Sequence, residues 1–290
     1  MQQTDTFNSY RAYLFAIAYR MLGSVMDAED MVQEAYLRWQ NSDEAAIESP
    51  KSYLATIITR LCIDHLRSAK VQRETYVGEW LPEPLLLDPM PPQEDMAALS
   101  DTLSIAFLVL LETLSPTERA VFLLREVFDY DYAEIAEMVG KSEANCRQMV
   151  RRAKQHLADG RPRFQATPAE QQHITWQFAQ ACVQGDMAGL LALLAEDVVE
   201  YSDGGGQVVA AIKPVRGADK VARFFLGLMK KLPDSLAHRL TIANGRPAII
   251  SYIDGAPVNV TILDIDDGRI QRIYNIVNPD KLRHIQRLAD

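Results

Sequence analysis

No run of apolar residues in this chain approaches the roughly 18 needed to cross a bilayer as a helix, so the sequence does not read as membrane-spanning. The opening stretch MQQTDTFNSYRAY lacks a basic region followed by an apolar core, and it does not read as a secretory signal. Cysteine is scarce. Cys62, Cys146 and Cys182 are the three present, far apart and in apolar-periodic positions. They fit reduced core thiols of a cytoplasmic protein and exclude a disulfide framework or a cysteine-rich zinc site. No internal repeat marks a solenoid. Positive charge is short overall: the 290 residues carry a formal net charge of −9. The deficit is uneven, with 15 Lys+Arg against 25 Asp+Glu in residues 1–160, and 15 against 14 in residues 161–290.

Against that background one stretch stands out. Lys141–Leu157 reads KSEANCRQMVRRAKQHL, where Lys141, Arg147, Arg151, Arg152 and Lys154 oppose only Glu143. It follows a short amphipathic segment, Asp131–Val139, across a turn at Gly140. A helix, a tight glycine-containing turn and a basic helix form the signature of a helix-turn-helix. Phosphate neutralisation supplies most non-specific DNA affinity. A locally basic helix on an acidic chain therefore predicts DNA binding that is weak alone and depends on a partner supplying positive charge.

The rest of the pattern predicts a multidomain chain. Residues 1–75 read as a helical domain with helices over Phe7–Met21, Asp27–Trp39 and Lys51–Lys70. Residues 76–95, YVGEWLPEPLLLDPMPPQED, hold five prolines and read as an extended linker. The apolar Trp80, Leu81, Leu85, Leu86, Leu87 and Met90 predict that this linker docks on something. Residues 96–160 form a second helical domain. In it Ala97–Leu114 reads as a helix, and Ser115-Pro116-Thr117-Glu118 is a capping box that opens Thr117–Glu126. A short linker, 161–168, precedes an α+β domain over 169–290. Its expected helices are Ala169–Gln184, Met187–Leu194 and Lys220–Lys231. Its expected strands are Val198–Ser202, Val208–Ile212, Leu236–Ala243, Ala248–Ile253, Val258–Asp264 and Arg269–Val277. Asn244-Gly245, Asp254-Gly255 and Asp267-Gly268 signal hairpins, hence an antiparallel sheet with helices on one face.

Several strings resemble an extracytoplasmic-function sigma factor of bacterial RNA polymerase. YRMLGSVMDAEDMVQEAYLRW (Tyr19–Trp39) is similar to the polymerase-binding segment of that family's second region. SYLATIITRLCIDHLRSAK (Ser52–Lys70) is similar to the helix that meets the minus-ten promoter element, and Leu114–Leu157 to the fourth region, which reads the minus-thirty-five element. WLPEPL (Trp80–Leu85), DGGG (Asp203–Gly206) and NPDKL (Asn278–Leu282) resemble the SigJ-like, or ECF41-like, subgroup, whose tail is a SnoaL-like domain of the cone-shaped NTF2-like fold. Gln207 stands where a lysine is expected after the three glycines.

The resemblance implies core RNA polymerase and promoter DNA as partners, with no catalytic, metal or cofactor site and no membrane. Polymerase docking is expected at Asp27, Asp30, Gln33, Glu34 and Leu37, on a segment whose acidic excess would steer encounter. Reading of the upstream duplex is expected from Lys141, Ser142, Glu143, Ala144, Asn145, Arg147, Gln148, Arg151, Arg152 and Lys154. The N-terminal end of that helix meets bases and its later cations meet phosphates. Capture of the downstream element is expected from Asn41, Ser42, Arg60, Asp64, Arg67 and Lys70, with Tyr53 more in keeping with the core. Regulation in cis is expected from the linker residues Trp80, Leu81 and Pro82, the turn Asp203, Gly204, Gly205 and Gly206, and the string Asn278, Pro279, Asp280, Lys281 and Leu282. A concave pocket in the tail, toward which Trp176, Tyr201, Asp203, His238, Tyr252 and Asn275 are candidates to point, is expected to offer room for a small-molecule ligand. Two other readings stay open at this stage: a ligand-sensing helix-turn-helix repressor, and a SnoaL-like isomerase or cyclase with a DNA-binding leader.

Overall fold

The computed structural model describes residues 2–43, 47–73, 76–86, 102–157 and 167–288, with backbone alone at residues 2 and 69–73. The chain divides into two compact units. One holds Met1–Thr75 and Phe107–Arg161, the other Tyr76–Ala106 and Pro162–Asp290.

The first unit is helical. α1 (Gln2–Leu22), α2 (Val25–Gln40) and α3 (Pro50–Arg73) form one bundle. Leu14, Ile17, Ala18 and Met21 of α1, Val32, Ala35 and Trp39 of α2, and Leu54, Ile58 and Cys62 of α3 are all buried, each set at helical spacing. The Ser24 hydroxyl accepts from the Asp27 amide at 3.0 Å and starts α2. α4 (Ile105–Leu111), α5 (Pro116–Glu126), α6 (Tyr132–Val139) and α7 (Glu143–Leu157) follow. The expected long helix over Ala97–Leu114 is shorter than the pattern suggested, and its part at 97–101 lies outside the described residues. α5 and α6 both begin in full capping boxes, Ser115 with Glu118 and Asp131 with Glu134. Gly140 ends α6 in the left-handed region at φ 64°, where an L side chain is strained.

The second unit is α+β. α8 (Pro168–Gln184), α9 (Met187–Leu193) and α10 (Ala218–Met229) pack on one face of a sheet. The strands are β1 (Leu194–Asp203), β2 (Val215–Arg216), β3 (Leu236–Ala243), β4 (Arg246–Ile253), β5 (Ala256–Asp266) and β6 (Arg269–Ile276), in the order β2-β1-β6-β5-β4-β3. Phe178, Leu190, Val221 and Phe225 of the helices meet Val198, Ile249, Leu263 and Ile273 of the sheet. This layering is what an NTF2-like tail requires.

Both central residues of each predicted Asx-Gly turn have positive φ, at Asn244-Gly245, Asp254-Gly255 and Asp267-Gly268, as two-residue hairpins demand. Two expectations fail. The sheet is mixed, because β1 pairs parallel with β6, the last strand. Hairpin signals report only neighbours in sequence and are silent on that closure. Val208–Ile212 is not a strand. It follows the glycine turn as an exposed loop, and the short β2 beside β1 forms further on.

Candidate functional site

Each group of candidate residues is placed by its local element. On α2, Met26, Asp30, Gln33 and Leu37 recur at spacings of three and four and are all exposed, so they form one solvent-facing stripe. Leu37 is 48% exposed, an unusual position for a leucine beside a well-filled core. Asp27 and Glu34 flank the stripe. Glu34 pairs with Arg38 at 3.1 Å, and the Asp27 carboxylate lies 3.5 Å from His65 Nε2.

α6 and α7 form the helix-turn-helix. Cys146, Val150, Ala153 and Leu157 are buried, and Ile135 and Met138 of α6 are buried too. The opposite face of α7 therefore points outward. Lys141, Ser142, Glu143, Ala144, Asn145, Arg147, Gln148, Arg151, Arg152 and Lys154 are all exposed. The Ser142 hydroxyl accepts from the Asn145 amide at 3.3 Å at the start of the helix. Arg147 bonds Glu143 at 2.6 Å and lies over the Tyr132 ring, 5.0 Å from its centre. Lys154 pairs with Glu126 at 2.6 Å.

The downstream-element candidates are more committed. The Asn41 amide donates to the Leu37 carbonyl at 2.8 Å, and the Ser42 hydroxyl donates to the Trp39 carbonyl at 2.6 Å, so both close the end of α2. Asp64 and Arg67 form an exposed pair at 3.4 Å. Tyr53, expected in the core, is exposed, its ring 6.0 Å from that of buried Trp39. Lys70 is on α3 but its side chain lies outside the described residues. Arg60 donates to the Met138 carbonyl at 2.8 Å and the Glu137 carbonyl at 2.9 Å, at the C-terminal end of α6. A guanidinium suits that helix end, where unpaired carbonyls and the negative pole coincide.

The third group converges on one carboxylate. Asp203, at the end of β1, is fully buried. Its Oδ2 accepts from the Leu81 amide at 2.8 Å and from Lys281 Nζ at 2.6 Å. Its Oδ1 accepts from the Tyr76 hydroxyl at 2.5 Å and the Gly205 amide at 3.1 Å. Lys281 also donates to the Leu81 carbonyl and sits 4.3 Å from the centre of the Trp80 ring. Asn278 completes the set by donating to the Tyr76 hydroxyl at 2.9 Å. Burial, together with the Asp203 carboxylate, pushes the Tyr76 phenol far above its ordinary range, so it stays a donor. Three segments far apart in sequence, WLP, DGGG and NPDKL, thus meet at a buried ion pair. Gly205 belongs there for a steric reason: at φ 59°, a Cβ would lie 2.3 Å from the Asn278 amide nitrogen. Gln207 donates to the Asp280 carboxylate, so the amide contacts NPDKL where a lysine would have added charge.

Sequence reasoning missed Tyr76, Asn244 and His284. Asn244 accepts from the Leu85 amide at 2.9 Å and donates to the Leu103 carbonyl at 2.9 Å, while its own amide bonds the Leu85 carbonyl at 2.8 Å. His284 bonds the Pro84 carbonyl at 2.7 Å. The Asn244-Gly245 turn signal accounts for Asn244 locally and hides its contacts to the linker, and no local signal marks the other two.

The tail also contains a cavity, with ≈ 70 Å³ open to water, between α8, α10 and the sheet. Of the residues expected there, His238 and Asn275 line it. Asp203 and Tyr201 do not, because strand alternation sends Glu200 and Ser202 to the helix side and Tyr201 and Asp203 to the other. Tyr201 stacks instead on Tyr274 at 5.6 Å, Trp176 is exposed, and Tyr252 is buried off the cavity. Among the described residues, no group of three or more His, Cys, Asp or Glu is arranged to hold a metal ion, and no helix is long and apolar enough to cross a membrane.

Comparison with known proteins identifies the class. Residues 6–71 match the model for Sigma-70 region 2 and residues 104–157 that for Sigma-70, region 4. The chain is 37% identical to the ECF RNA polymerase sigma factor SigJ of Mycobacterium tuberculosis, over 96% of this chain and 93% of that protein. It is 33% identical to the probable ECF RNA polymerase sigma factor SigI of the same species, over 95% and 93%. The crystal structure of M. tuberculosis SigJ superposes with a TM-score of 0.77 at 34% identity, covering 96% of this chain and 98% of that one. The protein belongs to the extracytoplasmic-function RNA polymerase sigma factors. It directs promoter-specific transcription, and the repressor reading falls away.

Proposed function

We propose that this sigma factor is regulated in cis by its α+β tail, which holds the segment between the two sigma regions through the Asp203–Lys281 pair. The observation that carries this reading is the buried carboxylate of Asp203, which gathers the Leu81 amide, the Tyr76 hydroxyl and the Lys281 ammonium. A buried carboxylate is costly unless every lone pair is answered, and here linker and tail answer it together. The linker thus has a defined docked state, and any factor that binds the docked and released states unequally sets its population.

In this reading the cytoplasmic core polymerase docks on the α2 stripe, through Asp30, Gln33 and Leu37 with Asp27 and Glu34 beside it. The minus-thirty-five element meets Lys141–Gln148 at its base edges and Arg151, Arg152 and Lys154 at its phosphates. The minus-ten element meets Asn41, Ser42, Arg60, Asp64, Arg67 and Lys70. For Arg60, that contact requires release of two α6 carbonyls. The tail itself serves without catalysis. Asp203, one of the residues expected in the pocket, is occupied by the linker and faces away from the cavity, which weighs against the rival isomerase reading.

The test is in vitro transcription with core polymerase, comparing the full chain, a truncation after Leu157 and a truncation after Leu282. The complete deletion is expected to lose activity and the short trim, which removes His284 and its bond to Pro84, to raise it. Equal transcript from all three refutes regulation in cis.

A further inference from the structure

We infer that the outer face of α10 is a further DNA contact of this sigma factor, a cationic strip that takes the phosphate backbone of the duplex beside the minus-thirty-five element. Residues 213–231, which lead into α10 and run past its end, hold six cations, Lys213, Arg216, Lys220, Arg223, Lys230 and Lys231, against one acid, Asp219. The core decides where those on the helix point. Val221, Ala222 and Phe225 are buried, which turns positions 220, 223, 227 and 230 outward at spacings of three and four. Lys220, Arg223, Lys230 and Lys231 are all exposed. At 1.5 Å per residue, Lys220 to Lys230 spans about 15 Å, or roughly four nucleotide steps of one DNA strand.

The charge is also unspent. Elsewhere in the tail, Lys281 pairs with Asp203, Arg272 with Asp264 and Arg283 with Asp280, while Arg269 and Arg287 donate to backbone carbonyls. Lys220, Lys230 and Lys231 make no ion pair among the described residues. Arg223 bonds Asp219 at 2.8 and 3.0 Å, an exposed pair open to competition. The helix accounts for cations at its C-terminal end, where its negative pole favours them, but Lys220 stands in the first turn at the opposite pole. Gly227 lies in the middle of the same face. A glycine there weakens the helix, and packing does not require it, since an added Cβ would meet nothing within 4 Å. The missing side chain leaves a gap between the cations through which a partner's backbone can approach closely.

DNA fits this face better than protein does. Protein interfaces are poor in lysine and are anchored by aromatic side chains, and the strip offers three lysines and no aromatic. It carries no amide side chain to read a base, so it suits phosphates, which position without specifying. Eleven peptide steps separate Leu157, the end of α7, from Pro168, the start of α8. Such a tether spans at most about 40 Å, so duplex held by α7 meets the tail at high effective concentration.

The test uses the full chain assembled with core polymerase on promoter fragments that extend past the minus-thirty-five element. A triple variant, Lys220→Gln with Lys230→Gln and Lys231→Gln, is compared with the parent across a salt series. At about 0.9 per phosphate neutralised, its slope of log affinity against log salt should be shallower by about 2–3, equally on native and scrambled flanking sequence. Gly227→Met closes the gap without changing charge. Thermal melts should show that fold no less stable than the parent, while affinity falls several-fold. A benzophenone side chain placed at position 223 should cross-link to DNA on irradiation. An unchanged slope in the triple variant, or full affinity in Gly227→Met, overturns the inference. So does a cross-link to a polymerase subunit in place of DNA, which would make the face a protein interface. None of these readouts depends on the tail lock, so the contact stands or falls apart from regulation in cis.

Discussion

Two buried acids on one strand are handled oppositely, and residue neighbours decide which. Asp203 is fully answered, with Lys281 at 2.6 Å. Lys281→Met strands that charge in the interior, and the expected loss is roughly 3–5 kcal/mol of unfolding free energy in the tail. Denaturant melts should show Asp203→Asn with Lys281→Met recovering much of it, since both charges are then gone. Glu200, three residues earlier, has only the Ser202 hydroxyl, while its Oε2 is buried without a hydrogen-bond partner among the described residues. Burial pushes its carboxyl up to about 7 from 4.5, against the smaller opposing effect of Ser202. The folded state therefore holds a proton that the unfolded state releases above pH 4.5. Stability contributed by that proton is full below 4.5, declines as pH rises to 7, and is gone above it. Glu200→Gln should be more stable than the parent above pH 7, by on the order of 3 kcal/mol at most. The difference should shrink toward pH 4.5. Thermal melts of both proteins at pH 5 and pH 8 check this, and an unchanged difference would show that Glu200 is ionised throughout.

At the scale of elements, α7 was legible because its sequence meets two demands at once. Cys146, Val150, Ala153 and Leu157 satisfy the core, which frees every basic position for the outside. Arg147 is held by Glu143, but an exposed pair spaced i,i+4 contributes only about 0.3–0.5 kcal/mol, so it yields readily to a competing partner. Arg147→Ala should cost about 1–3 kcal/mol at promoters with the preferred upstream base and little elsewhere. Lys154→Ala should weaken all promoters alike and reduce the salt slope by about one. Holoenzyme binding to matched and scrambled upstream elements separates the two. The glycine turn after β1 was visible as a string, but its purpose was not. Gly205→Ala adds a Cβ against Asn278 at a positive φ, so the Tyr76 hydroxyl should lose its Asn278 donor and the linker part of its dock. Limited proteolysis should then cut within residues 76–86 at least several-fold faster than in the parent. Val208–Ile212 shows the opposite failure. Its apolar content imitated a strand, yet strand formation needs a neighbour, and β2 took the place beside β1.

For the whole molecule, charge sets the order of events. The acidic residues 1–160 oppose DNA approach, and the cations of α7 are too few to overcome a chain at −9. The full chain alone should retain promoter fragments at least tenfold more weakly than the holoenzyme does, in a mobility-shift assay at physiological salt. Equal retention would remove the need for polymerase. The first unit also contains contacts no sequence string announces. Arg60 reaches from α3 to the α6 carbonyls, and buried Arg119 of α5 donates to the Met21 carbonyl of α1 at 2.7 Å. Arg60 therefore holds the two sigma regions together within this unit, a second occupation for a residue expected at the minus-ten element.

The sequence by itself marked most of the helices, the Ser115 capping box, the three hairpin turns and the outward-facing basic face of α7, because each depends on residues within a few positions of one another. The strings WLPEPL, DGGG and NPDKL were visible there through their family resemblance. Only the tertiary structure decided that those strings meet at one carboxylate and that β1 lies parallel to β6. Strand register and chain closure join residues as far apart as Tyr76 and Asn278. No local pattern encodes such a contact, since its energy appears only when the whole sheet is formed.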